Sequence, residues 1–196
     1  MGSNFIGPLE LTKIANKMPI LIPIKIPSIP FSLKEIKNKQ TEYILILGIS
    51  KMQNGKALTL QSLRNHFGFD SLISEPCFYN QDWYIREVFY TDQLPCKWYL
   101  IRKTIIDNTR AQNPDTLSPK ISFPSAILCA YTFFVYWYHL NEPLWSNDYI
   151  WCKDSDRNKD RIFVGRYNDP HGANKNGFSI HRRLSIRNNY GCIQVL

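Results

Sequence analysis

Carboxylates disappear from the end of this chain. Between His171 and Leu196 there is none, while lysine and arginine occur four times (Lys175, Arg182, Arg183 and Arg187). Cysteine is sparse and scattered. The five, Cys77, Cys96, Cys129, Cys152 and Cys192, form no C-x-x-C pair, and their number is odd. That spacing excludes a zinc ribbon and a disulfide framework and fits a reducing, cytoplasmic compartment. No apolar run reaches the roughly 20 residues needed to cross a bilayer. The N-terminal "MPILIPIKIPSIPF" is interrupted by prolines and Lys25 and lacks the form of a secretory leader. G-x-S-x-G, H-E-x-x-H, a dinucleotide fingerprint and a phosphate loop are all missing, which removes the common hydrolase, zincin and nucleotide-fold signatures.

What remains is basic and rich in large apolar side chains. Lys and Arg number 24 against 16 Asp and Glu, giving +8 and a pI near 9.3. Such a balance favours anionic partners: nucleic acid, acidic membrane surface or phosphorylated ligands. Aromatics make up 14% of 196 residues, enough for a real core in one domain.

Local patterns predict an α+β fold with a mixed or antiparallel sheet, one central buried helix and a strand-rich C-terminal unit. Residues 1–40 read as an extended arm and 41–196 as the domain. Leu9 opens a short helix. Prolines at 19, 23, 27 and 30 then exclude helix and central strand. Ser32 with Glu35 fits a capping box, and "YILILG" fits a buried strand ended by glycine. Asn54-Gly55 marks a tight turn, and Thr59 caps a helix through Phe67 that Gly68 stops. "QDWYIREVFY" suits either period, and "KWYLIRKTII" suits a strand. Residues 107–122 lack periodicity and are expected to form a mobile polar connection. "PSAILCAYTFFVYWYHLN" is a buried helix capped by Ser125, and "DYIWCK" and "RIFVGRY" are hairpin strands around "DSDRNKD".

Three constellations invite chemistry. Asp154, Asp156, Asn158 and Asp160 alternate as D-x-D-x-N-x-D, a spacing that can wrap oxygen ligands around magnesium or calcium. Its start resembles an EF-hand loop. Lys159 stands where that loop wants glycine, however, and Gly165 where it wants glutamate. A solvated hairpin tip is the alternative. In the tail "GFSIHRRLSIRNN", residues 178–187 alternate. An extended chain points Phe178, Ile180, Leu184 and Ile186 one way, and Ser179, His181, Arg183, Ser185 and Arg187 the other. Arg182 is the exception on the apolar side; with it, Lys175 and Asn188, the tail has the groups to hold phosphates, although edge strands also carry charge to prevent pairing. Finally, "YNDPHGANKNG" places Asp169 and His171 in a loop after a hairpin, loosely similar to ββα-metal nucleases. That likeness implies His171 as general base and a carboxylate-held metal. Cys77 and His66 are the material for a Cys–His pair.

The expectation is therefore a DNA- or RNA-binding protein. Its enzymatic version would be a metal-dependent nuclease. A protein-interaction module with an aromatic interface and a carbohydrate or small-ligand binder are the alternatives.

Overall fold

The computed structural model describes residues 1–117, 119–169, 171, 176–182 and 185–196. Its architecture is α+β, with two sheets around one apolar helix. In the first sheet β1 (Phe5–Ile6) lies parallel to β2 (Tyr43–Leu47), which pairs antiparallel with β3 (Trp98–Arg102). Every residue of β2 is buried, as its unbroken apolar run requires of a strand covered on both faces.

The N-terminal segment is pinned at several points. The helix α1 (Pro8–Ile14) packs on the long helix α5 (Ala126–Leu140), Ile20 bridges to Met52, and the Trp98 indole donates to the Pro27 carbonyl. The helix α2 (Leu33–Lys39) starts at Ser32, whose hydroxyl accepts from the Glu35 amide. The helix α3 (Leu60–Phe67) carries the full reciprocal cap: Thr59 and Ser62 each accept from the other's backbone N–H. Between residues 83 and 91 the ambiguous pattern becomes neither helix nor strand but two 3₁₀ turns.

The long helix α5 (Ala126–Leu140) is buried over most of its surface. Ser125 caps it, and Asn141 ends it in the left-handed conformation. Its Tyr131 hydroxyl donates to the Leu47 carbonyl at the end of β2. Among the described residues no helix is long and apolar enough to cross a membrane.

The second sheet has the order β6-β5-β4-β7, built from β4 (Tyr149–Ser155), β5 (Arg161–Tyr167), β6 (Gly177–Arg182) and β7 (Tyr190–Gly191). One face packs Ile150, Cys152, Ile162, Val164, Phe178 and Ile180 into the main core. The other face builds a second core from Tyr149, Trp151, Phe163, Tyr190 and Cys192. Residues 107–117 and 119–123 cover this second face. They fold as a 3₁₀ turn (Asp107–Thr109) and the short helix α4 (Pro114–Leu117), with Leu117 and Phe123 packed on the aromatics and the Thr109 hydroxyl accepting from the Cys192 amide. The segment expected to be a mobile connection is therefore a packed cover. Its few apolar residues do not repeat at any period, so burial left no signature.

Candidate functional site

The tail strand is shorter and more enclosed than its sequence suggested. β6 ends at Arg182, and its alternation has the expected phase, with Phe178 and Ile180 facing the main core. The opposite side chains are not a free surface: one is buried and the other half-buried. Ser179 is fully buried and donates its hydroxyl to the Gly165 carbonyl. The His181 ring stacks on Phe163 at 5.4 Å and lies near Tyr149 and Tyr79. Both side chains point into the second aromatic core, because the sheet is covered on both faces.

The edge of this strand is also closed. Phe178 exchanges backbone hydrogen bonds with Cys77 and Tyr79. Further along, the Gln81 side-chain oxygen accepts from the Ile180 amide, and the Trp83 indole donates to the Ile180 carbonyl. Two side chains thus complete what a neighbouring strand would supply. Gly177, at φ +147, permits the approach, since a Cβ there would lie 2.6 Å from the Tyr79 nitrogen. Of the two readings of the charged strand, protection of an edge is accomplished by residues 77–83 rather than by arginine.

The cations of the tail are partly neutralised. Arg182 lies 3.6 Å from Asp156 and over the Trp83 ring. Arg187 and Asn188 are exposed beyond the strand, and Arg187 is close enough to weaken proton binding by His181. Lys175 and Arg183 lie outside the described residues. Burial, with the field of Arg187, holds the His181 imidazole down to about 4.

The carboxylate loop is occupied by its own backbone. Asp156, with its side chain fully buried, accepts at Oδ1 from the Asn158 and Asp160 amides. Asp154 accepts from the Ala126 amide and so stabilises the N-terminus of α5; burial raises its carboxyl pKa. Asn158 and Asp160 are exposed at the tip, where Lys159 adopts φ +67. Among the described residues no group of three or more His, Cys, Asp or Glu is placed to hold a metal ion. Gly165, where an EF-hand would need glutamate, tolerates no side chain, because a Cβ would sit 2.0 Å from the Asp148 carbonyl oxygen.

Asp169 and His171 stand at the other end of β5. Asp169 accepts from the His171 amide in a local turn, and the His171 side chain is exposed. The Asp154–Asp160 turn precedes β5 and the Asp169–His171 turn follows it. Seven residues at about 3.3 Å each put roughly 20 Å between them. A general base in one turn cannot serve a metal held in the other. Cys77 is buried, donates to the Asn176 carbonyl, and is pushed up to about 12 by burial and the nearby Glu75 and Asp70, so it is not a thiolate nucleophile. The His66 imidazole instead donates from Nε2 to the Lys17 carbonyl.

Most of the excess charge lies elsewhere. Through Arg64 the chain has nine basic and three acidic residues; the remainder has fifteen and thirteen. Lys13, Lys17, Lys25, Lys34, Lys37, Lys51 and Lys56 are all exposed, and Lys39 lies over the Tyr43 ring. Among the described residues every ion pair is made by an arginine and none by a lysine. Arg110 grips Asp148 through two bonds of 2.8 and 3.0 Å, and the buried Arg166 reaches Glu75 at 3.2 Å. This partition was readable as a running charge sum but is hidden by motif searches, since the lysines share no motif.

A polar cleft of about 630 Å³ opens within this lysine-rich region, between the turn at residues 50–57 and α3. The chain matches no family model, no curated protein and no solved structure.

Proposed function

We propose that the protein binds nucleic acid through its phosphate backbone, with little regard to sequence. The observation carrying this reading is the segregation of charge: seven exposed lysines that make no ion pair among the described residues lie in the first 64 residues, while the ion pairs of the described residues are all made by arginines beyond them. A lysine ammonium is a mobile point charge, suited to successive phosphates and poorly suited to reading a base edge in two places at once. Hydrolysis forms no part of this proposal, because the Asp154–Asp160 turn and the turn of His171 stand at opposite ends of β5.

Fluorescence anisotropy with a labelled 20-nucleotide single strand and the matching duplex, between 50 and 300 mM salt, tests it. Wild type is expected to show log K falling linearly with log salt, and Lys34→Gln with Lys37→Gln and Lys51→Gln to flatten that slope by about two. Absence of binding at 50 mM, or a slope near zero, would overturn it.

A second reading has its own observation. Phe69, Leu72 and Ile73, directly after α3, are exposed, and Phe69 and Ile73 line a shallow groove. This suits a protein partner, whose binding would depend little on salt.

A further inference from the structure

We propose that the cleft between the 50–57 turn and α3 receives one unpaired nucleotide of the bound strand. This rests on the nucleic-acid reading above and adds where, and in what form, the strand is held.

The turn is fixed first. Asn54 accepts from the Lys56 amide, Met52 exchanges backbone bonds with the same stretch, and the Pro19 carbonyl accepts from Gln53. The opposite wall is α3, whose Leu60, Leu63 and Phe67 are buried, so that its register is set by the core. With those inside, Gln61 and Asn65 face out, one helical turn apart, and both line the cleft. Neither side-chain amide has a hydrogen-bond partner among the described residues, whereas Thr59 and Ser62 at the same wall are consumed by their mutual cap.

The lining contains Lys56 and no carboxylate. His66 donates from Nε2 to the Lys17 carbonyl, which leaves Nδ1 as an acceptor and ties the cleft to the exposed Lys17. The chemical set is therefore one ammonium for a phosphate, and side-chain amides that each offer a donor and an acceptor. Side-chain amides are the groups that match the edge of a base. Pro19 and Met52 add apolar surface. The volume falls in the range of small-ligand sites. A paired base cannot present its Watson–Crick edge to such a cleft, so the geometry favours a single strand.

Removing the amides separates this proposal from simple charge attraction, because it changes no charge. Gln61→Ala with Asn65→Ala is expected to weaken binding of a labelled 20-nucleotide single strand about tenfold at fixed salt. Its salt slope should stay that of wild type, and duplex binding should be unaltered. Titrating wild type with deoxyadenosine monophosphate should shift the Gln61 and Asn65 side-chain amide resonances, and their melting-temperature controls should match wild type, since both residues are exposed. If the double variant holds the single strand as wild type does, while Lys34→Gln with Lys37→Gln weakens it, the cleft is overturned and the nucleic-acid reading stands. If wild type binds neither strand, both fall. Mononucleotide at 10 mM that moves neither amide resonance also overturns the cleft.

Discussion

His181 lies against Phe163, near Tyr149 and Tyr79, and the Gln81 amide holds its ring. Because the Gln81 oxygen already accepts from Ile180, its nitrogen faces the His181 ring, 3.0 Å from Nδ1 and 3.4 Å from Nε2. Burial and Arg187 hold the imidazole near 4, below its ordinary value of about 6.5. The folded chain therefore binds this proton less readily than the unfolded one. The stability it supplies is complete above pH 6.5 and is lost as pH falls from there through about 4, with a limiting loss of about 3 kcal/mol. Asp154 works in the opposite sense, since its raised carboxyl favours the folded state as acid is added. Urea unfolding at pH 7.5, 6 and 5 should show wild type losing stability along this course. His181→Phe, which keeps a stacked ring, should lose less. Parallel losses in the two proteins would show that the imidazole is not the group responsible.

At the scale of elements, β6 is an edge strand whose next neighbour consists of a short backbone exchange at residues 77–79 and the side chains of Gln81 and Trp83. Loss of those two side chains leaves the Ile180 amide and carbonyl unmatched at an edge. Gln81→Ala with Trp83→Ala should cost several kcal/mol, from two lost hydrogen bonds and the packing of the indole. It should also produce concentration-dependent association in size-exclusion chromatography, as an opened edge recruits another chain. A variant that is destabilised yet strictly monomeric would mean the edge is protected by something else. This arrangement also explains which elements could be read in advance. Helices α3 and α5 and strand β2 announce themselves through caps and continuous apolar runs, because local chemistry fixes their ends. The closure of β6 and the cover at residues 107–117 and 119–123 depend on partners about 100 and 80 residues away along the chain. His181 sits at a polar position of an alternating strand and still faces aromatics, since alternation assigns a face but not what covers that face.

For the whole molecule, lysine and arginine have divided the positive charge between them. Arginines hold the fold together: Arg166, buried, spans from β5 to Glu75 and lies over Trp137, and Arg110 ties the residue 107–110 turn to Asp148 just before β4. The planar guanidinium is suited to such sites because it gives two parallel bonds and stacks on rings. The lysines make no ion pair among the described residues, and the first 64 residues, nine basic against three acidic, carry most of the net +8. No motif marked this lysine-rich stretch, because a charge excess is a sum over residues that need share no spacing. The division has a consequence that two variants can decide together. Lys34→Gln, Lys37→Gln and Lys51→Gln should leave stability within about 0.5 kcal/mol per site, as exposed substitutions do, while advancing elution from heparin strongly. Arg166→Gln with Arg110→Gln removes two charges where the lysine variant removes three. It should lower the melting temperature by about 5–10 °C, since each kcal/mol costs this size of domain about 2–4 °C, and should move heparin elution much less. Equal advances on heparin per charge removed for the two variants would mean that polyanions sense only net charge, and a lysine variant that melts early would mean those side chains are structural after all.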